Sequence, residues 1–238
     1  MRKYALLLIS VLVAYGVTAQ RQINDPNAEE RNVRNFHAIQ VATGIELLIT
    51  QGSSEAVAVS AKDLSDREKI VTKVEDGVLK IHYDHNSLKN LRKGSKKLKA
   101  YVSVVNMDAL NASSGALVNF DGLFKVPSLK IKSSSGSIVN GKVDVKHLEI
   151  RQNSGSIINI SGTAATAEME GSSGSVFNGY ELVINNCKAR ASSGGVMELN
   201  VIEELEVAAS SGGNISYRGK GTIRNIKTSS GGQIARKS

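Results

Sequence analysis

The sequence predicts an all-β protein, most of it a parallel β-solenoid (β-helix) of about seven repeats of roughly 19 residues. Three observations lead there. A Ser-Gly pair recurs at nearly constant spacing. Apolar and charged residues alternate on either side of it. No helical periodicity accompanies the repeat.

The glycines of the repeat are Gly115, Gly136, Gly155, Gly174, Gly194, Gly212 and Gly231, with spacings of 21, 19, 19, 20, 18 and 19. Self-similarity at a fixed period is the signature of stacked repeat units, and a flexible Ser-Gly linker has no reason to keep it. The residue before the glycine is Ser in every turn, from Ser114 to Ser230. About 19 residues is too short for a strand and a full helical crossover, so stacked strands joined by tight corners fit best.

Parity assigns the faces. Five positions before the glycine lie Leu110, Ile131, Ile150, Met169, Ala189, Val207 and Ile226. Seven before it lie Leu129, Leu148, Ala167, Cys187 and Leu205, and three after it lie Val118, Val139, Ile158, Phe177, Met197, Ile215 and Ile234. These odd offsets form one side of a strand, because side chains alternate with period two. The even offsets between them bear charge, as at Lys130, Glu149, Arg151, Glu168, Glu170, Lys188, Arg190 and Glu206. Turns stacked at about 4.8 Å would make a rod about 30 Å long. Each turn must bury its apolar side on its neighbours.

Two polar rows follow from the same alignment. The serines before the glycines stack on one another. Four residues after the glycine, Asn119, Asn140, Asn159 and Asn178 form a second row. Stacked Asn amides can hydrogen-bond along a rod axis, and a ligand-binding row of amides is the alternative reading.

Residues 1–19 read as a signal peptide: Arg2 and Lys3, an apolar run from Ala5 to Val17, and small residues before a cut after Ala19. The run is shorter than the roughly 20 residues of a membrane helix. No second apolar span follows, so no transmembrane segment is expected in the mature chain. Residues 20–35 are polar and read as a leader or linker. Residues 36–105 are strand-like, with Ile39 and Val41, then Ile45, Leu47 and Ile49, then Val57 and Val59. Ile70 to Tyr83 reads as a hairpin turning at Asp76-Gly77. A helical turn is expected near Asp63 to Lys69, and another strand at Tyr101 to Val105. This region is expected to cap the N-terminal end of solenoid 106–238, with 36–238 as one continuous domain.

Without Arg2 and Lys3 the formal charge falls from +8 to +6. A basic balance can serve nucleic acid, but export excludes that partner and leaves anionic polysaccharide or lipid headgroups. Cys187 is the single cysteine, so no intrachain disulfide forms, and in a column of leucines it is expected to be buried and inert.

No chemistry converges. Glycoside hydrolysis uses paired carboxylates at fixed separation, whereas Asp121 and Asp144 fall at different offsets and Glu149, Glu168 and Glu206 share an outward column broken by Lys188. His82 and His85 flank Tyr83-Asp84 without further ligands at metal-site spacing. His37 and His147 stand apart. No nucleophile elbow and no calcium nonapeptide occur. No catalytic, cofactor or metal residues are assigned. The one candidate contact region is the basic run Lys89, Arg92, Lys93, Lys96, Lys97 and Lys99. A solvated loop and a contact with anionic envelope polymer or lipid headgroups are both open readings of it.

Phe36-His37-Ala38-Ile39-Gln40-Val41, Gly44-Ile45-Glu46-Leu47, Asp76-Gly77-Val78-Leu79-Lys80-Ile81 and the Ser-Gly repeats, in that order, resemble the bacterial family described as putative auto-transporter adhesin, head GIN domain. The resemblance spans about residues 36 to 235. It implies an all-β, helix-like fold, export in Bacteroidetes-type bacteria and an adhesin-like role, and it transfers no catalytic residue. One departure is that no pattern of a membrane β-barrel translocator follows the repeats, so self-export is not expected.

The functional expectation is an exported, non-enzymatic envelope or surface protein that binds through an extended β-surface, at the periplasm, outer-membrane surface or cell exterior. Its expected partners are an anionic polysaccharide, the envelope surface or another envelope protein. A structural or regulatory envelope component gripping another protein through a rod end is the second reading. A polysaccharide-active β-helix enzyme is the third.

Overall fold

The computed structural model describes residues 25–84 and 96–237; the predicted signal peptide, His85, Lys89, Arg92 and Lys93 lie outside the described residues. The repeats form long strands, one per coil: β9 (Leu117–Ser133), β10 (Ile138–Gln152), β11 (Ile157–Gly171), β12 (Val176–Ala191) and β13 (Val196–Ala209). They pair in parallel and in the predicted register, with Leu129↔Leu148, Leu148↔Ala167, Ala167↔Cys187 and Cys187↔Leu205. Ile131, Ile150, Met169, Ala189 and Val207 are buried in one column.

Each coil turns corners that its burial pattern and backbone angles reveal. In β10, Val139, Val143, Val145, Leu148, Ile150 and Gln152 point inward. The alternation of buried and exposed residues holds across Gly141, which takes the inward place between Val139 and Val143 against Phe120, and skips at Lys146-His147. A skip in parity means that the strand turns a corner and keeps the same side inward. Another corner is the Ser-Gly turn. There Ser and Gly both take left-handed backbone, with φ of 47–52° for the serines and 69–75° for the glycines. The residue after Gly donates to the carbonyl before Ser, for example Ala116 N–H to Ser113 O at 3.1 Å. Two positive φ angles closed by that bond make a type I′ turn. Each turn grips the next: the Gly N–H donates to the Ser carbonyl of the following coil at 3.0–3.2 Å.

The Asn row is a hydrogen-bonded ladder. Asn140 Nδ2 donates to Asn119 Oδ1 at 2.9 Å, Asn159 to Asn140 at 2.7 Å and Asn178 to Asn159 at 2.6 Å. Asn140→Ala removes two of these bonds and should lower unfolding stability by about 1–2 kcal/mol, measurable as a shifted denaturant midpoint. A second ladder runs inside the turn corner. Buried Ser137, Ser156 and Ser175 donate their hydroxyls to the carbonyls of Ala112, Ser133 and Gln152. In the next coils that position becomes Gly195 and Gly213, where a Cβ would come within 2.7 and 2.4 Å of a neighbouring carbonyl oxygen.

Cys187 is buried, and burial pushes its thiol up to about 12. A thiolate is the reactive form, so the native protein should resist a maleimide reagent for as long as it stays folded. Labelling at the rate of a free thiol would contradict this.

The N-terminal strands continue the stack. β2 (Ala38–Val41) and β3 (Glu46–Gln51) flank Thr43-Gly44, which has φ of 64° and 67°. β8 (Ala109–Ala112) leads into the first Ser-Gly turn. β2 pairs with β8 and β3 with β9, and Gly44 N–H donates to Ser114 O at 2.9 Å. A Thr-Gly turn of the same geometry thus stacks ahead of the seven Ser-Gly turns. β6 (Val78–Tyr83) and β7 (Lys99–Val104) lie in parallel above β2 and β3. β5 (Ile70–Glu75) forms the expected hairpin with β6, turning at Asp76-Gly77. β4 (Ala56–Ser60) runs antiparallel to β7. β1 (Glu29–Arg31), drawn from the polar stretch read as a leader, runs antiparallel to β4. A short helix, α1 (Leu64–Arg67), positions Asp66 to accept from the buried Tyr83 hydroxyl at 2.6 Å. The charged, three-residue β1 is a poor template for edge-to-edge pairing.

The other end is different. β14 (Asn214–Arg218) pairs with β13 and with β16 (Gln233–Arg236), and β15 (Thr222–Thr228) pairs with β13. Every residue of β15 is exposed. Ile226, expected inside with the rest of its column, is 46% exposed, because among the described residues no further coil lies over it.

Candidate functional site

Of the six cations in the basic run, Lys96, Lys97 and Lys99 fall among the described residues. They do not act alike. Lys96 lies with its ammonium 4.0 Å from the centre of the Tyr83 ring, a cation–π contact that ties the run to the hairpin. Its carbonyl accepts from Lys62 N–H at 2.9 Å. Lys97 is exposed with left-handed backbone at φ 47°. Lys99 opens β7.

Lys97 and Lys99, with Lys62, line a shallow hollow of about 260 Å³ whose other walls include Asp25, Ser60 and Tyr101. Tyr101 donates to Asp25 Oδ2 at 2.8 Å. Burial pushes the Asp25 carboxyl up, but hydrogen bonds from Tyr101, the Asn27 backbone and Ser60, with the Lys99 charge, hold it below its usual range. Burial and the neighbouring Asp25 raise the Tyr101 phenol. The hollow thus combines three ammonium groups with one ionised carboxylate, an arrangement suited to an anion and a hydroxyl together. Sequence reasoning missed Asp25 and Lys62 as neighbours of this run, because they come from distant parts of the chain.

The outer faces of the rod bear rows of charge in register. Lys130 lies 2.7 Å from Glu149, and Arg151 reaches the same carboxylate at 2.8 Å. The Lys130 ammonium holds the Glu149 carboxyl below the usual carboxylate range. Glu170 lies between Arg151 at 4.0 Å and Arg190 at 3.7 Å, as its column position predicts. Lys125 meets Asp144 at 2.8 Å, and Asp144 also accepts from Thr163.

The histidines are dispersed. His37 faces Asp108 at 3.0 Å on the surface, His147 contacts Thr166 at 2.7 Å, and His82 is exposed. Among the described residues, no three His, Cys, Asp or Glu side chains gather as a metal ligand set, and no helix is long and apolar enough to cross a membrane.

Comparison with known proteins supports the architecture. A putative adhesin from Bacteroides fragilis has the same fold at 19% identity and a TM-score of 0.78, over 88% of this chain and 96% of that one. A putative lipid binding protein from Parabacteroides distasonis matches at 17% identity and a TM-score of 0.67, over 90% and 98%. A putative adhesin from Parabacteroides merdae matches at 18% identity and a TM-score of 0.63, over 89% and 95%. No curated protein matches the chain significantly. The sequence pattern described as "Putative auto-transporter adhesin, head GIN domain" covers residues 35–221, and the chain belongs to that family.

Proposed function

We propose that the mature protein is an exported, non-enzymatic binding protein of the cell envelope or surface, adhesin-like in that many weak contacts along the rod add up. The observation behind this reading is the register of the outward columns. Stacked coils present charged side chains of both signs in rows at the interstrand spacing of about 4.8 Å, which suits an extended polymer better than a small substrate. Fold alone does not decide between binder and enzyme, so the scattering of the carboxylates and histidines favours binding. The similar solved structures support the reading through names that include two putative adhesins.

Within it, the basic run from Lys89 to Lys99 is the contact region for an anionic polymer or headgroup surface, and Lys62 completes it. Exposed charge of one sign speeds encounter and makes attachment salt-dependent. The test is retention of the protein on immobilised dextran sulfate along a salt gradient. Lys93→Gln, Lys96→Gln and Lys97→Gln together should elute at clearly lower salt, with a thermal midpoint within a few degrees of the parent. Unchanged retention would remove this stretch from the site. Turnover of an acidic polysaccharide by the purified protein, abolished by an Asp or Glu substitution, would replace the binding reading with an enzymatic one.

A further inference from the structure

The two ends of the rod are finished differently. The N-terminal end stops at two antiparallel strands, β1 and β5, and the C-terminal end at two parallel ones, β15 and β16, each of the four with a strand on one side only among the described residues. Ser229 N–H donates inward to Ala209 O at 3.1 Å and Lys237 N–H to Tyr217 O at 2.8 Å. In a parallel ladder successive residues face opposite neighbours. The backbone groups of Ile226, Thr228, Ile234 and Arg236 therefore point away from the rod, with no strand beside them among the described residues.

The side chains around that edge have a definite character. Ile226 continues the column of Val207 and Ile223 that of Leu205, and both are at least 40% exposed. Between them and beyond, residues 213–237 contain Arg218, Lys220, Arg224, Lys227, Arg236 and Lys237 and no Asp or Glu. Arg224 pairs with Glu204, and Arg218 lies 3.8 Å from Glu181. Among the described residues Lys220, Lys227, Arg236 and Lys237 have no carboxylate partner. A second copy meeting this end with its own would bring like charges together, which disfavours self-association here.

We infer that the open C-terminal end binds an extended acidic segment of another protein, which adds to β15 as a further strand. Parity specifies the segment. A residue stacked over Ile226 points into the rod and is apolar, and the next, over Lys227, points outward and is acidic. The preferred sequence therefore alternates apolar and acidic residues, with backbone bonds supplying affinity and side chains specificity. This deepens the binding-protein reading but does not depend on the run from Lys89 to Lys99.

The test uses the full chain and a fluorescent ten-residue peptide of alternating Val and Glu, followed by anisotropy. The peptide should bind, tighter at low salt, and a Val-Lys counterpart should not. Ile226→Lys and, separately, Lys227→Glu should each weaken binding at least ten-fold without lowering the thermal midpoint. Lys93→Gln, Lys96→Gln and Lys97→Gln together should leave it unchanged, and a failed peptide titration beside intact dextran sulfate retention would sink this inference alone. Equal binding by the same peptide with every backbone nitrogen methylated would overturn strand addition in favour of plain charge attraction. A tail-to-tail dimer of the parent, lost in Ile226→Lys, would assign this end to a second copy instead.

Discussion

Ile150→Lys should unfold the protein or cost more than about 4 kcal/mol, the range reached when an unpaired charge is forced into a core. Ile150 is fully buried, stacked between Ile131 and Met169 in adjacent coils, with no carboxylate on the inner side of its strand. The control is built into the repeat. Ile226 occupies the same column position in the last coil but is exposed, so Ile226→Lys should change stability by no more than about 0.5 kcal/mol. Denaturant unfolding of the two variants side by side checks both. Similar losses would mean that the column is not what holds the coils together.

Gly162→Ala should be the next most damaging change, by about 3 kcal/mol or more, in contrast to Gly155→Ala only seven residues away. Gly162 lies in β11 opposite Val143 with φ +109°, and a Cβ there would lie 2.0 Å from the Val143 carbonyl oxygen. Backbone on the neighbouring coil cannot move aside without breaking the ladder. Gly155, in the Ser-Gly turn, has φ +69° and open space where a Cβ would go. Its substitution costs only the left-handed backbone itself, about 1–2 kcal/mol. Thermal midpoints that rank Gly155→Ala below Gly162→Ala would contradict this close approach between coils.

Much of this architecture was legible because stacking repeats the same demand in every coil. The period, the inward parity and the Asn row all recur often enough to align, and Cys187 could be placed by the apolar Ala167 and Leu205 on either side of it. The hairpin at Ile70 to Tyr83 was readable from local chemistry, since Asp-Gly suits a type I′ turn. Thr43-Gly44 was not recognised as a member of the series. It lies 71 residues before Gly115, with β4 to β7 between them, and Thr stands in place of Ser. The buried Ser137, Ser156 and Ser175 ladder was visible in the same alignment, as Ser directly after three successive glycines and at the inward parity, but polar side chains at a tight corner do not read as core. The exposure of Ile226 could not follow from parity, which says where a side chain points and not what covers it. The hollow beside Lys97 and Lys99 was hidden for another reason. Its members share no period, and Asp25 reaches Tyr101 across more than seventy residues of chain.

The direction of the ladders also sets how the rod responds to load. Its strands run across the long axis, so the bonds joining one coil to the next lie along it. Tension on the chain at the open end meets these bonds one after another, as in a zipper, rather than many at once in shear. Each coil that peels away exchanges a rise of about 4.8 Å for roughly 19 residues of extended chain, about 60 Å at 3.3 Å per residue. The remaining coils stay folded, because each depends only on its neighbours. Pulled from that end, the solenoid is an extensible tether that yields in coil-sized steps and can rewind on the template left behind.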